Sequence, residues 1–520
     1  MTEPKQANQG GANASAAGAA GAGAASSAGA GPATISGIDV MRGVGQTRAR
    51  GFWADAWSRV AARHRSRFAL GWIGLVAFLA IFAPVVANSH PLWMQVTKAD
   101  GSVSSSSPLL NSLTATDVLL LLGAVVGLPV VLWPSKRVSR SARASVLFVC
   151  AVMAGFTVVI GSGLLDIMRG NDRSLEVRQW ALSQGGAWVL AGSAAAVCAL
   201  VAALLPTAHT KWLRFGAVAA VAFLSCWLVA TRSTPALVNY DTYLEPPAGT
   251  QVQATWTLIP WGPDFSRTDL YSKPPMTTAG EASRALRDTP LGSARFYLGT
   301  DAVGRDVLSQ MLWACRLSIS IGLVSTGISL AIGITLGALA GYYGGKFDLA
   351  LYRLVEIFMA IPVLFLLIVA AGVLPRNIYV MMAIIGCVTW TGAARFTRAE
   401  FLKLRNQDFV QAAKALGLPL RSILFRHMLP NGVTPVLVDA SFAVAAAILA
   451  EATLSYLGLG PDGQPSWGKL LSNAAGETGE FVWWLAIFPG LAIFFTVLAY
   501  NMLGEDLRDA IDPKLRKAAH

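Results

Sequence analysis

Polar and apolar positions along this chain fall in long blocks rather than in the short periods of a soluble fold. Ten apolar runs reach the ~20 residues that a helix needs to cross ~30 Å of hydrocarbon. They lie at roughly 68–87, 115–133, 145–166, 184–206, 212–230, 315–341, 351–372, 377–394, 433–456 and 482–503. The pattern predicts an all-α, polytopic membrane protein with about ten transmembrane helices. Before the first run, Phe52, Trp53, Trp57 and Val60 recur at helical spacing, with Arg59, Arg63, Arg65 and Arg67 beside them. This predicts an amphipathic helix over 51–67 lying on the membrane surface. Residues 1–50 are dominated by Ala, Gly and Ser and hold no apolar block to bury, so they read as a disordered tail.

One polar interval differs from the other loops. Between Asp408 and Pro430 the chain offers a good helix-former run ending at Leu416, then Gly417, then Pro419 and a second helix-compatible run. Gly417 is placed to end the first helix in the left-handed conformation, and Pro419 to start the second. Pro430 and Asn431 then read as its stop. Ala412 and Ala413 give the first helix a bare, close-packing face. The interval predicts a two-helix hairpin.

Composition agrees with the pattern: 54% of the 520 residues are hydrophobic and 13% charged. The net charge of +12 would suggest nucleic acid in a soluble protein. Here the basic residues collect in alternate loops, which is an orientation signal, so nucleic acid is set aside as a partner. The loop with Lys136, Arg137, Arg140 and Arg143, the hairpin loop and the C-terminal Arg508, Lys514, Arg516 and Lys517 then fall on the cytoplasmic side, as does the N-terminus. From Arg395 to Pro430 there are seven Lys or Arg against two acidic residues. Residues 231–300 fall outside. The five cysteines form no CxxC pair and read as small packing residues, not as metal ligands. Gly344-Gly345-Lys346 comes nearest to a nucleotide-binding loop. Ala340 and Phe347 stand where Gly and Ser or Thr are needed, so the chain binds no ATP by that route.

Further strings surround the later runs: Leu298-Gly299-Thr300-Asp301 with Gly304-Arg305-Asp306, Gly341-Tyr342-Tyr343-Gly344-Gly345, and Ala450-Glu451 through Gly460. Pro465-Ser466-Trp467-Gly468 and Phe488-Pro489-Gly490 follow. Gly299 and Gly304 permit tight turns, and Thr300 or Asp301 is placed to cap the next helix. The hairpin, with Gln411, Ala412, Ala413, Gly417, Leu429 and Pro430 in register, resembles the coupling loop of ABC importer permeases. There Gln411 stands in place of the usual Glu and His427 in place of the usual Ile. The 299–306 string resembles the signature of the dipeptide, oligopeptide and nickel branch, in its second permease subunit. The resemblance covers about 295–516 and 52–87.

The resemblance implies a six-helix permease core and a four-helix insertion. Its parts are the tail 1–50, an elbow helix 51–67, a first core span 68–87, an inserted segment 88–230 and an external segment 231–300. A core domain 301–505 with its coupling loop 395–432 and a cytoplasmic tail 506–520 complete it. It further implies a bacterial inner-membrane subunit, not itself an enzyme, that pairs with a homologous permease, two ATPase subunits and an external solute-binding protein. ATP and Mg would reside on the ATPases, and this chain would bind no cofactor or metal. The solute ranges over short and long peptides, nickel chelates and peptide-like antibiotics. The rival reading is a secondary transporter driven by an ion gradient, but no repeated halves with broken helices are seen.

Within the runs, the acidic residues Glu356, Asp439 and Glu451 are expected to face the bundle interior, because an ionised carboxylate at mid-depth costs at least ~2.5 kcal/mol. Two roles stand open for them: meeting the amino group of a peptide, or bonding neighbouring helices. Gly333, Gly337 and Gly341 share one helix face and predict a close helix contact.

Overall fold

Pro362 changes the second of the five late spans. The computed structural model describes residues 52–98, 101–133, 140–167, 191–192, 211–232, 241–244, 251–475 and 481–511. In it the run 351–372 is two helices, α7 (Gly345–Ala360) and α8 (Val363–Val373), bent by 82°. Proline has no N–H to give and disfavours helical geometry in the residue before it. Ile361 is accordingly extended, at φ −93° and ψ 130°. The next run likewise divides at Trp390 into α9 (Ile378–Thr389) and α10 (Thr391–Leu404), with a 43° bend.

The chain separates into two compact units, 1–55 and 56–520. Of the first, only the opening turn of α1 (Phe52–Ala62) is described. The elbow helix ends at Ala62 rather than at 67, because Arg63 is extended, and α2 (His64–Val86) begins the first span. Then come α3 (Ala115–Leu132, with one π-turn at Gly123–Gly127), α4 (Arg140–Ile167) and α5 (Lys211–Arg232). Of the predicted span 184–206, all but residues 191–192 lies outside the described residues. The core helices are α6 (Val307–Tyr343), α7 to α10, α13 (Thr434–Tyr456), the short α14 (Trp467–Asn473) and α15 (Trp483–Ile511). The last helix runs six residues past the predicted start of the C-terminal tail. Among the described residues five helices are long and apolar enough to span, or seven when each bent pair is one span.

At 37 residues, α6 is the longest helix among the described residues, about 55 Å by its rise. It begins eight residues before its apolar run, capped by Asp306. Its Gly333, Gly337 and Gly341 lie against α10: a Cβ on them would meet Ala393 Cβ at 2.6 Å, the Ala394 carbonyl oxygen at 2.4 Å and Phe401 Cβ at 2.5 Å.

Two small antiparallel sheets lie outside the helices, which the all-helical reading did not anticipate. One has the order β2-β1-β3, from β1 (Trp93–Thr97), β2 (Val103–Ser106) and β3 (Gln251–Thr255). The other pairs β4 (Thr277–Thr278) with β5 (Arg295–Phe296). Pairing of Thr97 with Gln251 brings the two ends of 98–250 to adjacent backbone positions. The strand ladder therefore joins the chain on either side of the segment 98–250. Trp261 stacks on Phe296 at 4.8 Å and joins Phe265, Leu270 and Leu286 in a core that also takes in Ala83 and Ala87 of the first span.

Candidate functional site

The hairpin forms as two short helices with a left-handed residue between them. The first, α11, covers Asp408–Ala415, and the second, α12, covers residues 420–432. Gly417 has φ +68°, and no atom lies near the position its Cβ would take. The Gly417 N–H donates to the Lys414 carbonyl at 2.9 Å and the Leu418 N–H to the Ala413 carbonyl at 3.2 Å, closing the helix in a Schellman motif. Val410, Ala413, Ile423, Leu424 and Met428 then bury against Ala338 of α6 and Phe401 of α10. The hairpin is thus bolted to the same helix pair that the three glycines bring together. On its open side Leu416 is 78% exposed, with Phe409 and Phe425 also exposed.

Two expectations about the hairpin are corrected. The alanine face is divided: Ala413 is buried but Ala412 is exposed. Pro430 does not stop the second helix, which runs to Gly432 and breaks at Val433. Proline is tolerated there because it sits in the first turn after a wider π-turn, Ile423–Met428, where its missing donor costs little. Gln411 is exposed and donates from Nε2 to the Arg405 carbonyl at 3.0 Å, a bond the carboxylate of the usual Glu could not make. His427 and Leu429 are half-buried, and the His427 carbonyl accepts from Asn431 at 2.8 Å.

At the other end of α6 lies the 299–306 turn. Gly299 and Gly304 have φ +79° and +81°, and a Cβ on Gly304 would stand 1.9 Å from the Arg267 carbonyl oxygen. The cap of α6 is neither Thr300 nor Asp301. It is Asp306, whose carboxylate accepts from the Ser309 N–H at 2.7 Å. Burial pushes the Asp306 carboxyl up to about 7, helped by the nearby Asp301 and opposed by the Ser309 and Leu308 N–H groups. Asp301 instead organises the turn. It accepts from the Val303 and Arg305 N–H groups at 2.9 Å, from Arg305 Nε at 2.9 Å and from Gln310 at 3.0 Å. Thr300 accepts from the Lys273 N–H and donates to the Leu270 carbonyl, tying the turn to residues 251–300.

The three acidic residues of the spans do not converge. Glu356 is half-buried on α7 and paired with the exposed Arg353. Asp439 is half-buried on α13, with Arg395 as its opposing charge. Glu451 is buried twelve positions further along the same helix, about 18 Å away, and accepts from Ser455 at 2.7 Å and Ser318 at 3.5 Å. The sequence reading missed a further charge, Arg316 of α6, which pairs with Asp117 of α3. Its signal was a lone Arg in an otherwise apolar stretch. Among the described residues no group of three His, Cys, Asp or Glu could hold a metal ion.

Residues 333–517 match the family described as binding-protein-dependent transport system inner membrane component. Among curated proteins, the chain is 41% identical to the oligopeptide transport system permease protein OppC of Haemophilus influenzae, over 42% of this chain and 71% of that one. It is 38% identical to the di/tripeptide transport system permease protein DppC of Pseudomonas aeruginosa, over 51% and 84%. It is 36% identical to the oligopeptide transport system permease protein OppC of Bacillus subtilis, over 49% and 81%. These are permeases of peptide transport systems of the binding-protein-dependent type, which removes the secondary-transporter reading. Hairpin, turn and relatives agree: the chain belongs to the permeases of ABC importers, in their peptide branch.

Proposed function

We propose that this chain is one of two transmembrane subunits of an ATP-driven importer of peptides or related solutes in the bacterial inner membrane. The observation that carries the reading is the hairpin, a rigid element closed by Gly417 and seated on α6 and α10, with Leu416 left exposed. A homologous permease completes the translocation path. Two ATPase subunits, holding ATP and Mg, dock on the hairpin in the cytoplasm, where both termini also lie. An external solute-binding protein delivers cargo to the face formed by 231–300 and the 299–306 turn. The names of the relatives support peptides as cargo. ATP-driven closure of the ATPases moves the hairpin as a lever, and the bundle responds because its contacts differ in the two states.

The test is purification of the tagged full-length chain from its own membranes in mild detergent. An ATPase pair and a second permease should co-purify, and ATP should drive uptake of a labelled tripeptide into proteoliposomes of the complex. A chain that purifies without any ATPase would sink the reading.

A further inference from the structure

Helix α3 enters the core chemically. Its Asp117 forms a buried ion pair with Arg316 of α6, their side chains being 3% and 17% exposed. Asp117 is set by its own helix start: one carboxylate oxygen accepts from the Thr114 N–H at 2.8 Å and the Thr114 hydroxyl at 2.7 Å. The other oxygen is left to Arg316 Nη1. Arg316 Nε donates to the Ala80 carbonyl of α2 at 3.1 Å, and its guanidinium lies 5.3 Å from the Trp313 ring centre. Trp313 in turn donates to the Ala87 carbonyl at 3.0 Å. Three helices, α2, α3 and α6, thus meet on one cation. Arg316 Nη2 is buried without a partner, so Asp117 supplies the only carboxylate found on this guanidinium among the described residues.

The position of this cluster on α6 gives it a consequence. Arg316 lies in the first third of the helix, and Gly333, Gly337 and Gly341 lie in the last third, against α10. The hairpin buries on that last third at Ala338, and on the adjoining α10 at Phe401. α6 is unbroken from Val307 to Tyr343, so about 38 Å of continuous helix joins Arg316 to Gly341. A rod fixed at one end turns when its other end is pushed; a rod held nowhere slides. We propose that Asp117 is a positioning residue for coupling: by holding Arg316 it fixes one end of α6 against α2, so that force applied at the hairpin end turns the helix. Helix α3 is then a working part of the permease and not an appendage. The inference rests on the importer reading above.

The test uses the full complex in proteoliposomes, with a labelled tripeptide as cargo, and reads peptide moved per ATP hydrolysed. Three variants decide it: Asp117→Asn, Asp117→Glu, and the paired Asp117→Asn with Arg316→Met. Removing one partner of a buried pair leaves an uncompensated charge, whereas neutralising both is tolerated far better. The double variant should therefore reach wild-type membrane abundance and ATPase association. Its transport ratio should still fall about tenfold, within the usual range of a coupling effect. Asp117→Glu, which keeps the charge, should restore most of the ratio, and Asp117→Asn should lose it. A double variant with a wild-type ratio overturns the inference, even where Asp117→Asn alone fails to accumulate, because the pair would then serve stability only. Absence of ATP-driven uptake by the wild-type complex would instead count against the importer reading.

Discussion

Gly337 of α6 and Ala394 of α10 approach so closely that a β-carbon on the glycine would stand 2.4 Å from the alanine carbonyl oxygen. The obstacle is backbone, which cannot rotate away. Gly337→Ala should therefore separate the two helices and destabilise the protein by ~1–3 kcal/mol, as overpacking does. Gly327→Ala on the same helix has open space around its new methyl and should be neutral, or stabilising by up to ~1 kcal/mol. Thermal unfolding of the two detergent-solubilised variants makes the comparison; equal melting would mean that the contact is not tight.

Gly417→Val places a β-branched residue at φ +68°. The strain of ~1–2 kcal/mol is purely conformational, since nothing crowds the site. The ten predicted spans should insert normally. Uptake of tripeptide and retention of the ATPases should both drop, because the two hairpin helices no longer hold their angle. Wild-type uptake would show that coupling runs through other contacts.

Gln411→Glu removes the donor to the Arg405 carbonyl and sets a carboxylate against it. The site is exposed, so the loss should be modest, ~0.5–1.5 kcal/mol. Hydrogen exchange should report it as faster exchange within 408–416, with the spans unchanged. No change in exchange would mean that the bond adds nothing to the hairpin.

Asp306 gives the 299–306 turn a pH dependence. Its folded-state value, about 7, lies above its ordinary value of 3.8. The folded protein therefore holds this proton where the unfolded chain has lost it. The contribution to stability is full below the ordinary value and disappears as pH rises through about 7. Asp306→Asn, which keeps an oxygen for the Ser309 N–H, should flatten the melting curve between pH 3.8 and about 7, the interval over which the wild-type chain loses this contribution. A profile that keeps its slope in the variant would assign the dependence to another group.

Sidedness is checked by single cysteines in a cysteine-free background. A cysteine at Leu416 should be protected from an impermeant reagent in intact cells, and one at Asp288 should react. Labelling of the Leu416 position from outside would invert the proposed orientation.

The sequence by itself determined what depends on near neighbours. The length of the apolar runs set the five unbroken spanning helices among the described residues, since every backbone group in hydrocarbon must be paired within its own segment. The breaks at Pro362 and Trp390 divided two further runs. Helix-formers followed by Gly417 and Pro419 set the hairpin, because only glycine takes the left-handed turn cheaply. The spacing of Gly333, Gly337 and Gly341 announced a close contact but not its partner. Tertiary structure decided which groups meet across the chain. Asp117 and Arg316 are 199 positions apart, and no periodicity links them. Thr97 and Gln251 meet in a ladder that neither strand predicts alone. The capping of α6 by Asp306 rather than Asp301 followed from Asp301 being taken by Arg305 and Gln310. A carboxylate has a limited set of lone pairs, and only the folded arrangement decides which donors reach them first.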